Sequence, residues 1–541
     1  MSGPVATSSA AREDRDQGAY LPRRPEQTVL YRVVADNLET FLARAREQGR
    51  RVPRFVEREF RRFLDCGIPA HGFLRVRCDA CGCERLVPFS CKGRGFCPSC
   101  AGRRMADTAA HLVDRVFPVV AVRQWVLTLP WALRYRMAYD ASLTSDLLRV
   151  FTRAVFASLR RRAKRCGDRR KLRCGAVTFI QRFGDALNLN VHFHTLALDG
   201  VYGDGDEGEM RFNPLPAPDD AEVARVAARV ARGVARVLER RGLRRDADPG
   251  EVDPLGRDEP LLAALCAASV RGRIATGRRA GQAVLRFGDR IDADAVEDAP
   301  PGSPRCASVA GVSVHADVAV PARDRDRLER LCRYVARPPL AGERLEQLSD
   351  GRLLYALKRR WRDGTTHVLF ESLELIEKLA ALVPPPRANT VRYHGVLAPA
   401  ARRRSAVVPL EAASCESTSD PGCTAGANGD GTRSVPTDVS GTPNGTASQP
   451  RSRTSCGNRT RLRGYSWPEL MQRVFAIDVL ECPDCGAAMR ILAAIHPPDA
   501  TQAILDCLGL PSRPPPLTRA CPDPDLEVFP EFDDTDPAHW S

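Results

Sequence analysis

LNLNVHFHTLALDG, residues 187–200, decides how the chain is read. Residues i and i+2 of a strand face the same way, so His192 and His194 project from one face while Val191, Phe193 and Thr195 project from the other. Two imidazoles about 7 Å apart on one face form a two-nitrogen chelate. The 541 residues contain only nine histidines, so two of them on one strand face call for a chemical reason.

Working outward, apolar and polar positions also alternate in VRQWVLTL (122–129) and AVTFIQRF (176–183), which predicts two more strands. A hairpin through GDALN would bring Gln181 toward the histidine face and supply a neutral oxygen. Two imidazoles and one amide oxygen leave coordination positions open to water and phosphate. That set suits Mg2+ or Mn2+ acting as a Lewis acid on a phosphodiester.

Such a metal needs a nucleophile, and Tyr334 in RLERLCRYVARPP (327–339) is the candidate. Leu328, Leu331 and Val335 form the buried stripe of a short helix that Pro338 and Pro339 terminate. Arg330 and Arg337 fall on the tyrosine's side of that helix, where they favour the phenolate and hold a phosphate. Tyr393 in VRYHG lies in a strand-like segment and is read as structural.

Amphipathic helices are predicted over 26–48, 53–64, 140–165 and 219–241, the last with Val223, Val226, Val230, Val234 and Val237 on one stripe. RLLYALKRRWRDGTTHVLF reads as a hairpin turning at Asp363-Gly364, followed by a helix over 371–383. Mixed strands and helices without strict alternation predict an α+β fold, an antiparallel sheet flanked by helices. The expected domains are a disordered tail (1–25), a helical and metal-binding N-terminal domain (26–110), a catalytic domain (118–410), a flexible linker (411–462) and a small C-terminal domain (463–541).

The net charge is +14, and residues 160–173, RRRAKRCGDRRKLR, carry nine basic groups against one acid. Clustered arginines release counterions when they meet phosphates, which makes Arg161, Arg162, Arg165 and Arg170 candidate DNA contacts. No run of 18 apolar residues occurs, and the first twenty residues lack a secretory apolar core, so a cytoplasmic location is expected and a membrane partner is not. In a reducing compartment the 19 cysteines are not expected to form a disulfide framework, and the clustered ones are read as metal ligands. Cys78 and Cys81 form one C-x2-C, Cys97 and Cys100 a second, and together they are expected to enclose one structural Zn2+. Cys66, His71, Cys83 and Cys91 lie nearby and leave room for a second ion. Cys482 and Cys485 form a further C-x2-C with no obvious second pair, and Cys415, Cys423 and Cys456 show no ligand spacing.

Together these residues resemble the HUH endonucleases, specifically the rolling-circle transposases of the insertion sequence 91 family. QWVLTLP resembles that family's first motif, NVHFHTLALDG its HUH motif, and RYVARPPLAGERL its tyrosine segment. CGIPAHGFLRVRCDACGCERLVPFSCKGRGFCPSC is similar to its zinc-binding domain and WPELMQRVFAIDVLECPDCGAAMRIL to its C-terminal segment. The resemblance implies nicking and joining of single-stranded DNA at element ends, through a 5′-phosphotyrosine and a free 3′-OH. It also implies target DNA as a second partner and nucleoid association when bound. His192, His194 and Gln181 then become ligands of the catalytic metal and Tyr334 the nucleophile. Founding members carry two tyrosines four residues apart, whereas the flanking positions here are Arg330 and Pro338. A second subunit, as in a homodimer, or a 3′-OH must therefore carry the second strand transfer. The alternatives are a replication initiator or relaxase of the same chemistry and a non-catalytic zinc DNA-binding protein; the absence of a Walker loop argues against ATP use.

Overall fold

The computed structural model describes residues 23–167, 171–205, 209–243, 253–288, 304–408 and 465–521. The expected linker, residues 411–462, and Arg170 lie outside these, as do most of the expected tail and the final twenty residues.

The N-terminal part opens with helices α1 (Val29–Glu47) and α2 (Arg54–Asp65). The Thr28 hydroxyl caps α1 by accepting from the Tyr31 N–H at 3.3 Å. Strands β1 (Phe73–Cys78) and β2 (Glu84–Pro88) pair antiparallel, and helix α3 (Pro98–Arg115) leads into the central sheet.

Next come β3 (Val122–Thr128), α4 (Trp131–Tyr139), α5 (Ala141–Arg165), β4 (Gly175–Phe183), β5 (Leu189–Leu198), β6 (Gly200–Asp204) and β7 (Met210–Pro214). They are followed by α6 (Asp220–Arg240), α7 (Pro254–Asp258), α8 (Pro260–Val270), β8 (Leu285–Gly288), β9 (Cys306–Val309), β10 (Val312–His315) and β11 (Ala319–Val320). Then come α9 (Arg325–Val335), β12 (Leu345–Gln347), β13 (Leu353–Ala356), β14 (Thr365–Phe370), α10 (Ser372–Leu382) and β15 (Val391–Gly395). After the undescribed segment, α11 (Trp467–Phe475), β16 (Met489–Ile495) and α12 (Asp499–Cys507) complete the chain.

The central sheet runs β15-β4-β5-β3-β10-β9, with β11 pairing on β3, and all these pairings are antiparallel. Its two faces bury separate cores. Trp125, Leu127, Val191, Phe193 and Ala197 point toward the α4, α5 and α8 side, where they join Leu143, Leu147, Phe151 and Leu265. Val177, Phe179 and Leu196 point the other way and pack against Leu112 and Val113 of α3 and Leu328, Leu331 and Val335 of α9. Period-two alternation on β5 thus places His192 and His194 on the face covered by α3 and α9.

The C-terminal segment departs from the expectation of a separate small domain. Strand β16 pairs with β1, giving a three-stranded sheet in the order β16-β1-β2. Leu470 of α11 packs on Ala106 and Ala110 of α3, while Met489 and Cys482 pack on Val76 and Cys78. So few apolar residues cannot close a core of their own, and they bury their surface on the N-terminal part instead.

Candidate active site and metal centres

Strands β4 and β5 place Gln181 opposite His192 in register. The His192 Nδ1–H donates to the Asn190 carbonyl at 2.8 Å, which leaves Nε2 as the free lone pair. That Nε2 lies 3.0 Å from His194 Nε2, so both imidazoles converge on one point. Gln124 of β3, which the sequence reading did not single out, places its amide 2.6 Å from His194 Nδ1. Gln181 donates from Nε2 to the Val335 carbonyl at 2.7 Å, while its buried Oε1 has no hydrogen-bond partner.

The donor set fits a hard divalent cation. A buried amide oxygen without a partner is costly unless something else satisfies it, and a cation held by His192 Nε2, His194 Nε2 and Gln181 Oε1 would do so. To offer its Nε2 lone pair, His194 must carry its proton on Nδ1, where a turned-over Gln124 amide accepts it; imidazole tautomer and amide orientation are assigned from the bonding network. Burial pushes the His192 pKa down to about 4 and that of His194 well below its usual value, so both rings are neutral at pH 7.

Helix α9 is capped by Asp324, whose carboxylate accepts from the Arg327 N–H at 3.0 Å. It presents Tyr334 edge-on to His194, with ring centroids 6.3 Å apart. The tyrosine remains 39 % exposed, so its hydroxyl is reachable by a polymer substrate. Two cations cover its ring: the Arg337 guanidinium at 4.5 Å and the Lys358 ammonium at 4.0 Å from the centroid. Lys358 lies between β13 and β14 and has no sequence signal beyond the basic run Lys358-Arg359-Arg360. Tyr393 on β15 pairs with Val177 and is half-buried.

The cysteines divide differently from the expected set. Cys78 and Cys81 do not share a site with Cys97 and Cys100. Cys97 and Cys100, at the start of α3, instead gather with Cys66 and Cys91, all four sulfurs lying within 4.8 Å of one another. Zn–S bonds of about 2.3 Å place tetrahedral sulfurs about 3.8 Å apart. The Cys66–Cys100 and Cys66–Cys97 separations are both 3.7 Å. Cys78 and Cys81 sit at the end of β1 and face Cys482 and Cys485. The two C-x2-C pairs separate because one belongs to a strand end and the other caps a helix packed on α2 through the Phe60, Phe63 and Phe96 rings. His71 joins neither group and lies 3.3 Å from Asp65.

Residues 34–129 match the family model "Transposase zinc-binding domain" and residues 175–405 the model "Putative transposase", together more than half of the chain. The chain belongs to the insertion sequence 91 family of transposases. No curated protein and no solved structure matches it.

The transposase thus carries structural zinc in an N-terminal domain that its cysteine geometry suits, and it processes DNA. Among the described residues no helix is long and apolar enough to cross a membrane. Its arginines fall into two groups. Arg162 is a correction: it is buried, 3.9 Å from Asp199 and hydrogen-bonded to the Pro216 carbonyl, so it serves the interior. Arg161 pairs with the buried Glu222 at 2.5 Å, while Arg165 is exposed near the end of α5. This basic helix packs on the sheet face opposite the histidines.

On the histidine side, the transposase has a cleft of about 120 Å³ bounded by Arg94 and Arg104 of the zinc domain, Gln181, and Arg337. Arg94 and Arg104 are exposed and were not singled out by spacing, because they belong to the loop and helix around a zinc knuckle. Arg330 is exposed on α9, one turn before Tyr334.

Proposed function

We propose that the transposase nicks and rejoins single-stranded DNA at the ends of its element by tyrosine transesterification. The observation that carries this reading is the edge-on approach of Tyr334 to His194, whose Nε2 converges with that of His192 at 3.0 Å. Nucleophile and chelate therefore lie side by side beneath α3 and α9, with the Tyr334 ring 39 % exposed at the edge.

His192, His194 and Gln181 would hold Mg2+ or Mn2+, which supplies Lewis-acid polarisation of a phosphate oxygen. Arg337 and Lys358 draw the phosphate to the face of the phenol, and Arg94 and Arg104 carry the strand along the cleft. The Tyr334 hydroxyl loses its proton to water and its oxygen bonds to phosphorus. The P–O3′ bond breaks, and the departing 3′ oxygen takes up a proton. The phosphodiester energy is kept in phosphotyrosine, so attack by a 3′-OH can reverse the step without ATP. With one tyrosine on α9, the second strand transfer falls to a free 3′-OH or to a second copy of the chain. Cleavage belongs in the cytoplasm, at the nucleoid, where the DNA lies.

The test is incubation of the protein with labelled single-stranded DNA from the element's ends and Mn2+. A denaturation-resistant adduct, absent in Tyr334→Phe and in His192→Ala, is expected. Tight binding without any adduct would overturn the reading.

A further inference from the structure

Two short turns from opposite ends of the chain have the same construction. In the first, the Cys78 N–H donates to the Cys83 carbonyl at 2.8 Å and the Gly82 N–H to the Cys78 carbonyl at 2.9 Å. In the second, the Cys482 N–H donates to the Ala487 carbonyl at 2.8 Å and the Gly486 N–H to the Cys482 carbonyl at 2.9 Å. Gly82 and Gly486 occupy equivalent places with φ of 79° and 71°, a left-handed conformation that glycine adopts without strain. Each turn aims two thiols at one point. Across the gap, Cys78 faces Cys485 and Cys81 faces Cys482, both at 3.5 Å between sulfurs. That is too long for a disulfide and close to the spacing of about 3.8 Å for sulfurs on a tetrahedral zinc.

We propose that Cys78, Cys81, Cys482 and Cys485 hold a zinc ion of their own, assembled from the two extremities of the chain and separate from the ion at Cys66, Cys91, Cys97 and Cys100. Residues 482 and 485 lie outside the segment that matches the zinc-binding domain, so only the fold brings this site together. Cys83 is not needed, since Ala487 takes its place in the second turn. The ion would clasp β16 to β1, beside the Asp79–Arg490 ion pair at 3.0 Å. With β16 fixed, α11 stays seated on α3. The inference is independent of the tyrosine chemistry.

The test is cysteine alkylation of the full chain, purified with zinc and kept under a phosphine reductant, with iodoacetamide and peptide mass spectrometry. Cys81 and Cys485 are exposed, as are Cys166, Cys306 and Cys507, which serve as internal controls. The expected result is that Cys81 and Cys485 react at least ten-fold more slowly than the controls until a strong zinc chelator is added, and at the controls' rate afterwards. Reaction at the controls' rate in the zinc-loaded protein would overturn the proposal, as would protection that the chelator leaves unchanged. Metal analysis adds a second arm: two zinc ions per chain, falling to one in the Cys482→Ser/Cys485→Ser variant. Should that variant precipitate, the alkylation of the unaltered chain still decides.

Discussion

Arg473 of α11 reaches Glu329, on the helix that bears Tyr334, at 2.7 Å from Nη2, and the same Nη2 together with Nη1 donates to Asp114 of α3. One guanidinium from the C-terminal segment thus ties together the two helices that roof the histidine face. Glu329 is the best shielded of the three, whereas Arg473 and Asp114 keep about a third of their side-chain surface in water, so the tie draws its strength from one guanidinium serving two carboxylates.

Replacing this tie should matter for both stability and chemistry. Arg473→Ala leaves two partly exposed carboxylates without their shared partner, at about 1 kcal/mol in stability after solvent screening. Urea unfolding would measure the loss, and a midpoint equal to that of the unaltered chain would contradict it.

Gln124 is expected to tune the metal chelate without touching the metal. Gln124→Ala removes the group that orients His194, and loss of such an outer partner weakens metal binding by about 10- to 100-fold. Mn2+ titration followed by electron paramagnetic resonance would show it. Unchanged affinity would mean that the 2.6 Å contact is incidental.

Acid should destabilise the fold in a defined window. His192 and His394 are lowered by burial from 6.5 to about 4, so between those values the unfolded chain binds more protons than the folded one. Stability is therefore full above pH 6.5 and falls as pH drops toward 4, with His192 alone contributing on the order of 3 kcal/mol. Denaturant midpoints measured from pH 7.5 to 4.5 should fall steadily, and His394→Gln should flatten part of the slope. A flat profile would show that the rings are not held neutral.

Lys358 separates catalysis from folding. It is exposed, and its partner is the Tyr334 ring, so Lys358→Ala should leave stability within about 0.5 kcal/mol. Adduct formation should slow by about ten-fold, since one hydrogen bond from a charged group to phosphate is worth roughly 1.5 kcal/mol. Normal rates in this variant would remove Lys358 from the site.

The strands and long helices were legible because their patterns are local. β3, β4 and β5 follow the alternation of their own residues, α6 its valine stripe, and α9 stops at Val335 ahead of Pro338. The histidine pair and Gln181 followed from the same alternation and a short turn. What escaped was non-local. Two C-x2-C pairs 15 residues apart carry no mark of which sulfurs share an ion, and Cys78 finds its partners some 400 residues away. Arg162 looked like its neighbours in a basic run, yet the helix turns it inward to Asp199. Gln124 and Lys358 are ordinary residues that become part of the site only once β3 lies beside β5 and the β13–β14 hairpin reaches α9.

The pairing of β1 with β16 also sets a clock. About 400 residues separate the two strands, and ribosomes add about 5–20 residues per second, so roughly 20 to 80 s pass between their emergence. During that interval β1 has one unpaired edge, and Cys78 and Cys81 wait for the other half of their cluster. Seating of α11 on the roof of the histidine face waits through much the same interval. A chain that stops before α11 is thus denied the finished roof, and the site is completed only after Trp467–Phe475 has emerged.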